Sequence, residues 1–438
     1  MFLKIERDLR EIIKNLDPVN TYIVGGYVRD KIIGRDAKDI DIVSALSIES
    51  ISKKLKAKPY IVNDRFSTAR FHFQNINIDY NKIENLDSDL KRRDFTINSI
   101  ACDLTGKIID PLKGSNDIIN KVIRTSSTDA LKDDPIRILR AFRLKRQLGF
   151  SFSKNLNSLI KDSSKLLAES PKERVYAEIK EILSQIGGGG SLRELHKAGA
   201  LTVIFPALQP TLKFMHVKYK SRYLIGHLLN TTEAVDLLLM NRLPRDFREY
   251  ADSNLFSLYL SALFHDIFKP ECFTIEGKKQ RFFNHDILAS KRISKILKES
   301  LKVSNEEAER ISLLIKLHMR PHYLLNQGAT DKGIYRLFRE AGADVSGLMI
   351  LCMADILASE GRIERGYIKL YKRMQKIEEK INKKQVRLLN GSEIMAAFGI
   401  KPGRLVGEML ESGNSWAVEN NVSDKGKIIS YLKEEFFP

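Results

Sequence analysis

The sequence predicts a multidomain α+β protein in which a small mixed α/β head is followed by a long, mainly helical body. Its 438 residues exceed the size that one hydrophobic core usually reaches. Residues 20–110 contain short β-branched runs separated by turn residues. From about residue 130 onward, apolar residues recur at three- and four-residue spacing, which is typical of amphipathic helices.

Composition limits the classes of partner and compartment. The net charge of +18 favours a polyanion such as nucleic acid, although a solvated basic surface or membrane adhesion has the same charge balance. The cysteines Cys102, Cys272 and Cys352 are scattered, which argues against a disulfide framework or a thiolate zinc site. The N-terminus is amphipathic and partly acidic, unlike a signal peptide, and no apolar run approaches ~18 residues. We therefore expect a cytoplasmic protein with no membrane partner.

The head contains two carboxylates in an otherwise apolar strand, "DIDIV". Alternate side chains of a strand share a face, so Asp39 and Asp41 would project together. Paired carboxylates suit Mg²⁺, and Asp79 in "INIDY" offers a third on a strand able to lie alongside. Two such metals could activate a hydroxyl and stabilise a departing pyrophosphate. The alternative is a polar strand end that faces solvent.

The preceding segment "GGYVRD" predicts a turn that approaches a ligand closely. Gly25 and Gly26 would let backbone amides reach a triphosphate, and Arg29 begins the helix that follows.

Six motifs in order carry a resemblance to a known family. They are "GGYVRD", "KDIDIV", "RRDFTINSIA", "DDPIRILRAFR", "SPKERVYAEI" and "GIKPGRLVGEML". Together they resemble the bacterial class II tRNA nucleotidyltransferase and poly(A) polymerase family. The resemblance implies a polymerase-β-type nucleotidyltransferase head (1–130), a base-selecting neck (131–190), a helical body (191–365) and a tRNA-binding tail (366–438). The glycine run 187–190 is predicted to be a hinge or linker.

The resemblance also implies roles for individual residues. Asp39 and Asp41 would be catalytic and would bind Mg²⁺, and the strand pattern, rather than the resemblance, adds Asp79 as a third catalytic carboxylate. Nucleotide binding would fall to Gly25, Gly26, Arg29, Asp30, Arg92, Arg93, Asp94, Asn98, Asp134, Arg137 and Arg140.

The resemblance implies that Asp134 and Arg137 select the base. A carboxylate acceptor and a guanidinium donor match the amino group and ring nitrogen that cytosine and adenine both present, and oppose the pattern of uracil or guanine. The family usually has Glu-Asp at the start of this motif, whereas this chain has Asp133-Asp134. We expect the shorter side chain to keep the role.

The identity of the added nucleotides depends on one segment. Relatives that add the terminal A carry a long flexible loop before the Arg-Arg-Asp motif, and here the interval is only residues 80–91. This favours addition of two cytidines to tRNA from CTP, with a separate A-adding enzyme as a partner. A compact loop that still switches would make a complete CCA-adding enzyme that also uses ATP. A poly(A) polymerase is a further alternative.

A second set of residues resembles the HD phosphohydrolase superfamily. Four of the eight histidines and two aspartates follow its order, with His227, His265, Asp266 and Asp355 as the implied metal ligands and His285 and His318 near a second metal or the phosphate. Imidazole and carboxylate ligands suit a divalent metal, whose identity stays open. The alternatives are a degenerate domain without metal and a phosphohydrolase whose head merely binds tRNA.

Overall fold

A computed structural model describes residues 2–17, 20–37, 39–63, 68–73, 76–215, 221–277, 279–326, 328, 330–385, 389–420 and 422–437. The chain divides into two units. The first comprises Met1–Ile182, Ser191–Pro206 and Ser300–Lys302, and the second comprises Leu183–Gly190, Ala207–Glu299 and Val303–Pro438.

The first unit contains a mixed β-sheet. Its strands are β1 (Thr21–Val24), β2 (Asp39–Ser44), β3 (Tyr60–Asn63), β4 (Thr68–Phe73), β5 (Ile76–Lys82), β6 (Ala101–Asp103) and β7 (Ile108–Ile109). Among the described residues they form one sheet in the order β3-β4-β5-β2-β1-β6-β7. Strands β2 and β5 are parallel, and the other neighbours are antiparallel. A short pair, β8 (Val122–Ile123) and β9 (Ser151–Phe152), lies outside this sheet.

Helices surround and follow the sheet. They are α1 (Arg7–Ile13), α2 (Gly26–Ile33), α3 (Ile48–Leu55), α4 (Leu86–Arg92), α5 (Gly114–Ile119), α6 (Ala130–Asp133), α7 (Arg137–Leu148), α8 (Lys154–Ser163), α9 (Lys172–Leu183), α10 (Gly188–Lys197) and α11 (Leu201–Ile204), with 3₁₀ turns at Thr96–Asn98 and Ser164–Glu169.

Alternation along β2 separates the core from the polar face. Ile40 and Ile42 are buried, whereas Asp39 is exposed and Asp41 is half-buried. Burial of the isoleucines stabilises the strand by roughly 1.5–3 kcal/mol per side chain. The same two-residue period leaves both carboxylates on the opposite face.

The second unit is almost entirely helical. It contains α12 (Leu224–Met240), α13 (Arg245–Phe264), α14 (His285–Leu301), α15 (Asn305–Leu317), α16 (Met319–Asn326), α17 (Asp331–Ala341), α18 (Val345–Glu360), α19 (Gly366–Gln385), α20 (Gly391–Phe398), α21 (Arg404–Glu419) and α22 (Lys425–Phe436), with 3₁₀ turns at Pro206–Leu212 and Gly342–Asp344. A hairpin joins β10 (Phe273–Glu276) to β11 (Lys279–Phe282).

Helix α18 lies at the centre of this unit, against α12 and α13. The stretch Asp331–Glu360 is long and apolar enough to cross a membrane by composition alone, but 67% of its most apolar window is buried inside the protein. Its hydrophobicity is therefore explained by core packing.

Two packing groups follow α18. Helix α19 packs against α17 and α18 through buried residues such as Tyr367 and Met374. The last three helices enclose a core of their own around Ile394, Met409 and Leu432. The predicted start of the tail at residue 366 thus coincides with a helix that contacts the body.

The glycine run does not form a linker. Only Gly187 has a left-handed backbone, and Gly188–Gly190 form the first turn of α10. The carboxylate of Asp236 accepts hydrogen bonds from the amides of Gly187 at 2.6 Å and Gly190 at 3.2 Å. An added Cβ at Gly189 would lie 2.3 Å from the carbonyl oxygen of Thr232. The glycines permit close helix packing, and the linker prediction is wrong for these residues.

Candidate active site and metal centre

Adjacent strands bring carboxylates to one place in the first unit. Asp41 on β2 is in register with Asp79 on the parallel strand β5, and Asp39 precedes it on the same face. The Asp79 carboxylate accepts two hydrogen bonds from Arg70, at 2.6 and 2.7 Å. Asp79 therefore already has a cationic partner, and a metal ion would bind its remaining lone pairs or displace Arg70.

Asp41 has a raised pKa. Burial raises its pKa to about 6, Arg93 and Arg140 oppose the shift, and Asp79 and Asp39 add to it. A carboxylate held among other carboxylates favours a cation, and oxygen donors suit Mg²⁺. The donor set therefore fits the metal that the sequence predicts.

The turn before α2 requires glycine. Gly25 has a φ of +73°, and an added Cβ would lie 2.9 Å from both Arg93 Nη1 and Asp41 Oδ2. Because glycine lacks that atom, the backbone can approach the carboxylate and the guanidinium closely.

Helix α2 carries an arginine in a fixed orientation. Arg29 is buried and donates from Nη1 to Asn98 Oδ1 at 2.6 Å. It also donates to both carboxylate oxygens of Asp30, at 2.8 and 2.9 Å. Asp30 thus orients Arg29 rather than facing the cleft itself.

Two further arginines are held by one buried aspartate. Asp89 on α4 accepts from Arg92 Nε at 3.0 Å and from Arg93 Nε at 2.9 Å. Asp94 accepts from Asn98 Nδ2 at 2.9 Å and forms an ion pair with Arg140 at 2.9 Å. These pairs restrict the guanidinium groups before any ligand binds.

The predicted base-reading pair is also held by neighbouring groups. Asp134 accepts a bidentate interaction from Arg174 on α9, at 3.1 and 2.7 Å. Arg137 donates to the carbonyl oxygens of Ala130 at 3.2 Å and Arg92 at 2.8 Å.

Most of the predicted residues line one cleft of about 460 Å³. Its walls contain six arginines and four aspartates, which suits an anionic nucleotide together with metal ions. The lining residues are Gly25, Gly26, Arg29, Asp41, Asn81, Asp89, Arg92, Arg93, Asp94, Asn98, Asp134, Arg137, Arg140, Arg143 and Leu144. The structure does not bring Asp30, Asp39 or Asp79 into this lining.

Sequence reasoning missed Asp89 and Arg174. Asp89 stands three and four residues before its arginines near a helix end, a spacing that could have indicated the contact. Arg174 is forty residues from Asp134, and no local pattern links them.

The histidines and aspartates of the second set meet in the core of the second unit. His227 lies on α12 and Asp355 on α18, His265 and His318 end α13 and α15, and His285 begins α14. Their ligand atoms form two groups, each within 4.8 Å: His227, His265 and Asp355, and Asp266, His285 and His318.

Asp266 joins the two groups through its two oxygens. Oδ2 lies 3.4 Å from His227 Nε2 and 3.2 Å from His265 Nε2. Oδ1 lies 3.0 Å from His285 Nε2 and 3.7 Å from His318 Nε2. Asp266 would therefore contribute an oxygen to each of the two ligand groups.

The centre fits divalent metal ions. The Nε2 atoms of His285 and His318 are buried and make no well-oriented hydrogen bond to any residue within the described ranges. Burial lowers the pKa of His318 to about 4, which favours the neutral imidazole that metals bind. An uncompensated buried lone pair is costly, and a metal ion would satisfy it.

Two neighbours of this centre were not predicted. Lys269 Nζ lies 2.5 Å from Asp266 Oδ2. His322 Nε2 lies 3.4 Å from Asp355 Oδ2, and its Nδ1 lies 2.5 Å from the hydroxyl of Tyr367. His322 stands four residues after His318, so helical spacing could have indicated it.

Two parts of the chain match known protein families. Residues 21–124 match the family described as poly A polymerase head domain. Residues 149–212 match the one described as probable RNA and SrmB-binding site of polymerase A. These matches to the head and RNA-binding domains confirm the predicted resemblance to the tRNA nucleotidyltransferase and poly(A) polymerase family. The predicted fold class is confirmed.

The relatives of this nucleotidyltransferase carry different names. It is 39% identical over 181 residues to the CC-adding tRNA nucleotidyltransferase of Halalkalibacterium halodurans, a match that spans 41% of this chain and 48% of that protein. It is 26% identical to the A-adding tRNA nucleotidyltransferase of Deinococcus radiodurans, over 90% of this chain and 91% of the relative.

A solved structure resembles nearly the whole chain. The Thermotoga maritima CCA-adding enzyme complexed with tRNA_CCA has a TM-score of 0.67 and 20% identity, with 98% of this chain and 96% of that chain covered. The likeness supports the fold. The three names do not select among CC, A and CCA addition.

Proposed function

We propose that this nucleotidyltransferase extends tRNA lacking its 3′ end by two cytidines from CTP. The observation that carries the choice of CC is the short connection between β5 and α4, residues 83–85. Asn85 already caps α4 by accepting from the amide of Ser88 at 3.0 Å, so few residues lie outside regular structure between β5 and α4. Such a short connection is poorly suited to reshaping a pocket for a larger purine.

The head residues divide the remaining work. Asp39 and Asp41 would hold Mg²⁺, which when bound lowers the pKa of the attacking 3′ hydroxyl and neutralises charge on the pyrophosphate. The amides at Gly25 and Gly26 and the guanidinium groups of Arg29 and Arg93 would bind and orient the triphosphate. Positioning the reactants in line supplies a large part of the rate.

Base choice would follow from two fixed groups. Asp134, oriented by Arg174, would accept from the exocyclic amino group of cytosine, and Arg137 would donate to the ring nitrogen. Because Arg137 is itself held by backbone carbonyls, its free N–H groups have a defined direction.

The RNA would be gripped through its phosphates by basic helices of the neck and tail, in keeping with the net charge of +18. We also propose that the chain is divided into head, neck, body and tail domains and that it acts in the cytoplasm.

One assay tests the assignment. The purified protein is incubated with tRNA lacking its 3′ end and with each labelled NTP, alone and combined. We expect two cytidines and no further extension when ATP is abundant. Incorporation of AMP onto tRNA ending in CC would identify a complete CCA-adding enzyme, and long A tracts would identify a poly(A) polymerase.

We propose a second, metal-dependent phosphohydrolase activity in the second unit. The observation that favours it is the buried pair of ligand groups joined by Asp266. Metals held there would supply an activated water for attack on phosphate. A terminal or 2′,3′-cyclic phosphate on RNA is the expected substrate class, since its removal would prepare an end for nucleotide addition.

A further inference from the structure

His322 lies beside the metal centre but outside both ligand groups. It is on α16, nearly buried, with its Nε2 3.4 Å from Oδ2 of Asp355. The two ligand groups found among the described residues do not include it. Its contacts therefore indicate a role that acts through Asp355.

The two sides of the imidazole have different partners. Nδ1 lies 2.5 Å from the hydroxyl of Tyr367, and Nε2 faces the Asp355 carboxylate. A lone pair on Nε2 would repel that carboxylate. A proton on Nε2 would let His322 donate to Asp355, and in the neutral ring Nδ1 would then accept from the tyrosine hydroxyl.

The Asp355 side chain is more accessible to solvent than that of His227, which belongs to the same ligand group. Its side chain is 17% exposed, whereas that of His227 is 0% exposed. Its Oδ1 lies 3.2 Å from His227 Nε2 and 3.7 Å from His265 Nε2, with a long contact of 3.4 Å from Ser359 Oγ. Oδ2 faces His322 Nε2 in a contact that is not a well-oriented hydrogen bond, and Oδ1 faces the other ligands.

We propose that Tyr367 and His322 form a chain of hydrogen bonds that positions Asp355 as a metal ligand. The inference rests on the proposed metal centre. His322 is a positioning residue, and Tyr367 fixes the plane and tautomer of its ring. Partners of this kind typically change metal affinity by about 10–100-fold when removed.

Cobalt binding to the full-length protein tests the proposal. Protein stripped with a chelator is titrated with Co²⁺, and affinity, stoichiometry and the visible absorption spectrum are recorded for the parent, His322→Leu, His322→Gln and Tyr367→Phe. We expect His322→Leu to weaken the Asp355-containing site about 10–100-fold and to alter its spectrum. His322→Gln keeps an N–H donor and should restore part of the affinity, and Tyr367→Phe should give a smaller loss.

A matched control is available on the same helix. Tyr371 stands one turn after Tyr367, and its hydroxyl donates to Asp246 at 2.8 Å instead. Tyr371→Phe should leave Co²⁺ affinity unchanged, and thermal melts of the metal-free variants separate misfolding from loss of positioning. If His322→Leu binds Co²⁺ with parental affinity and spectrum, the positioning role is wrong. If the parent binds no Co²⁺, the metal centre itself is wrong and the inference falls with it.

Discussion

Asp41 combines burial with neighbouring carboxylates, and this environment makes it the residue from which the chemistry is most directly argued. Its pKa is raised to about 6 because burial and the nearby Asp79 and Asp39 disfavour its charge more than Arg93 and Arg140 favour it. A divalent cation would remove that penalty. The unfavourable interaction of the Asp41 charge with burial and with its neighbouring carboxylates is thus a physical reason to expect a metal there.

Replacing Asp39 or Asp41 by Asn should abolish nucleotide addition, by about 10³-fold or more if several kcal/mol of transition-state stabilisation are lost. Binding of tRNA should change little, because these groups do not grip the RNA. Single-turnover CTP incorporation and a tRNA filter-binding assay measure the two effects. Asp87→Asn, an exposed carboxylate of the same unit paired with Lys91, is the control. Undiminished incorporation in either variant would refute the metal assignment.

Asp134→Ala and Arg137→Ala should each relax the preference for CTP over UTP by about 10–100-fold, since each removes a charge-assisted hydrogen bond to the base. Arg174→Leu should act in the same direction but less strongly, because Asp134 remains and only its orientation is lost. Competition between CTP and UTP measures the effect, with Arg146→Leu on the exposed side of α7 as the control. An unchanged preference would mean that the base is read elsewhere.

Residues whose partners are close in sequence were the most predictable. The spacing of Asp39 and Asp41 follows directly from the strand period. Arg174 and Tyr367 contact residues 40 and 45 positions away in the chain, and no periodicity reports a contact between such distant segments. Their functions became visible only once the strands and helices were assembled.

At the scale of elements, the glycine run shows how composition can mislead. Four consecutive glycines normally lower helix propensity. Here Asp236 satisfies amides at the start of α10, and the absence of Cβ atoms allows that turn to lie against Tyr259 and Thr232. Packing therefore overrides local propensity.

Gly189→Ala and Gly190→Ala form a matched pair that tests this packing. The new Cβ at Gly189 would lie 2.3 Å from a backbone oxygen, so we expect a loss of about 1–3 kcal/mol in the free energy of unfolding. At Gly190 nothing lies within 4 Å of the new Cβ, so stability should be unchanged or should rise by up to about 1 kcal/mol. Urea denaturation measures both. Equal stability of the two variants would mean that the glycine run does not pack closely and is a flexible linker.

At the scale of the whole molecule, the order of the motifs predicted the fold and the family better than the amino-acid composition did. Six motifs in sequence indicated the family and the mixed head, which the comparisons confirm. The nucleotides added are harder to predict, because Asp134 and Arg137 suit both C and A. The choice depends on how the pocket changes shape, and that is a property of the assembled head rather than of any motif.

The two proposed centres share no ligand, and each is built within its own unit. His265→Ala or Asp266→Ala should therefore remove hydrolysis of 2′,3′-cyclic phosphates while CTP addition stays within about twofold, because single-site effects that share no contact are usually independent. Asp41→Asn should do the reverse. Both activities are measured on the same preparations with several divalent metals. If the parent shows no phosphatase or phosphodiesterase activity, the second centre has a structural role. If His265→Ala lowers CTP addition while the protein still melts at the parental temperature, the two centres are coupled and the independence argued here is wrong.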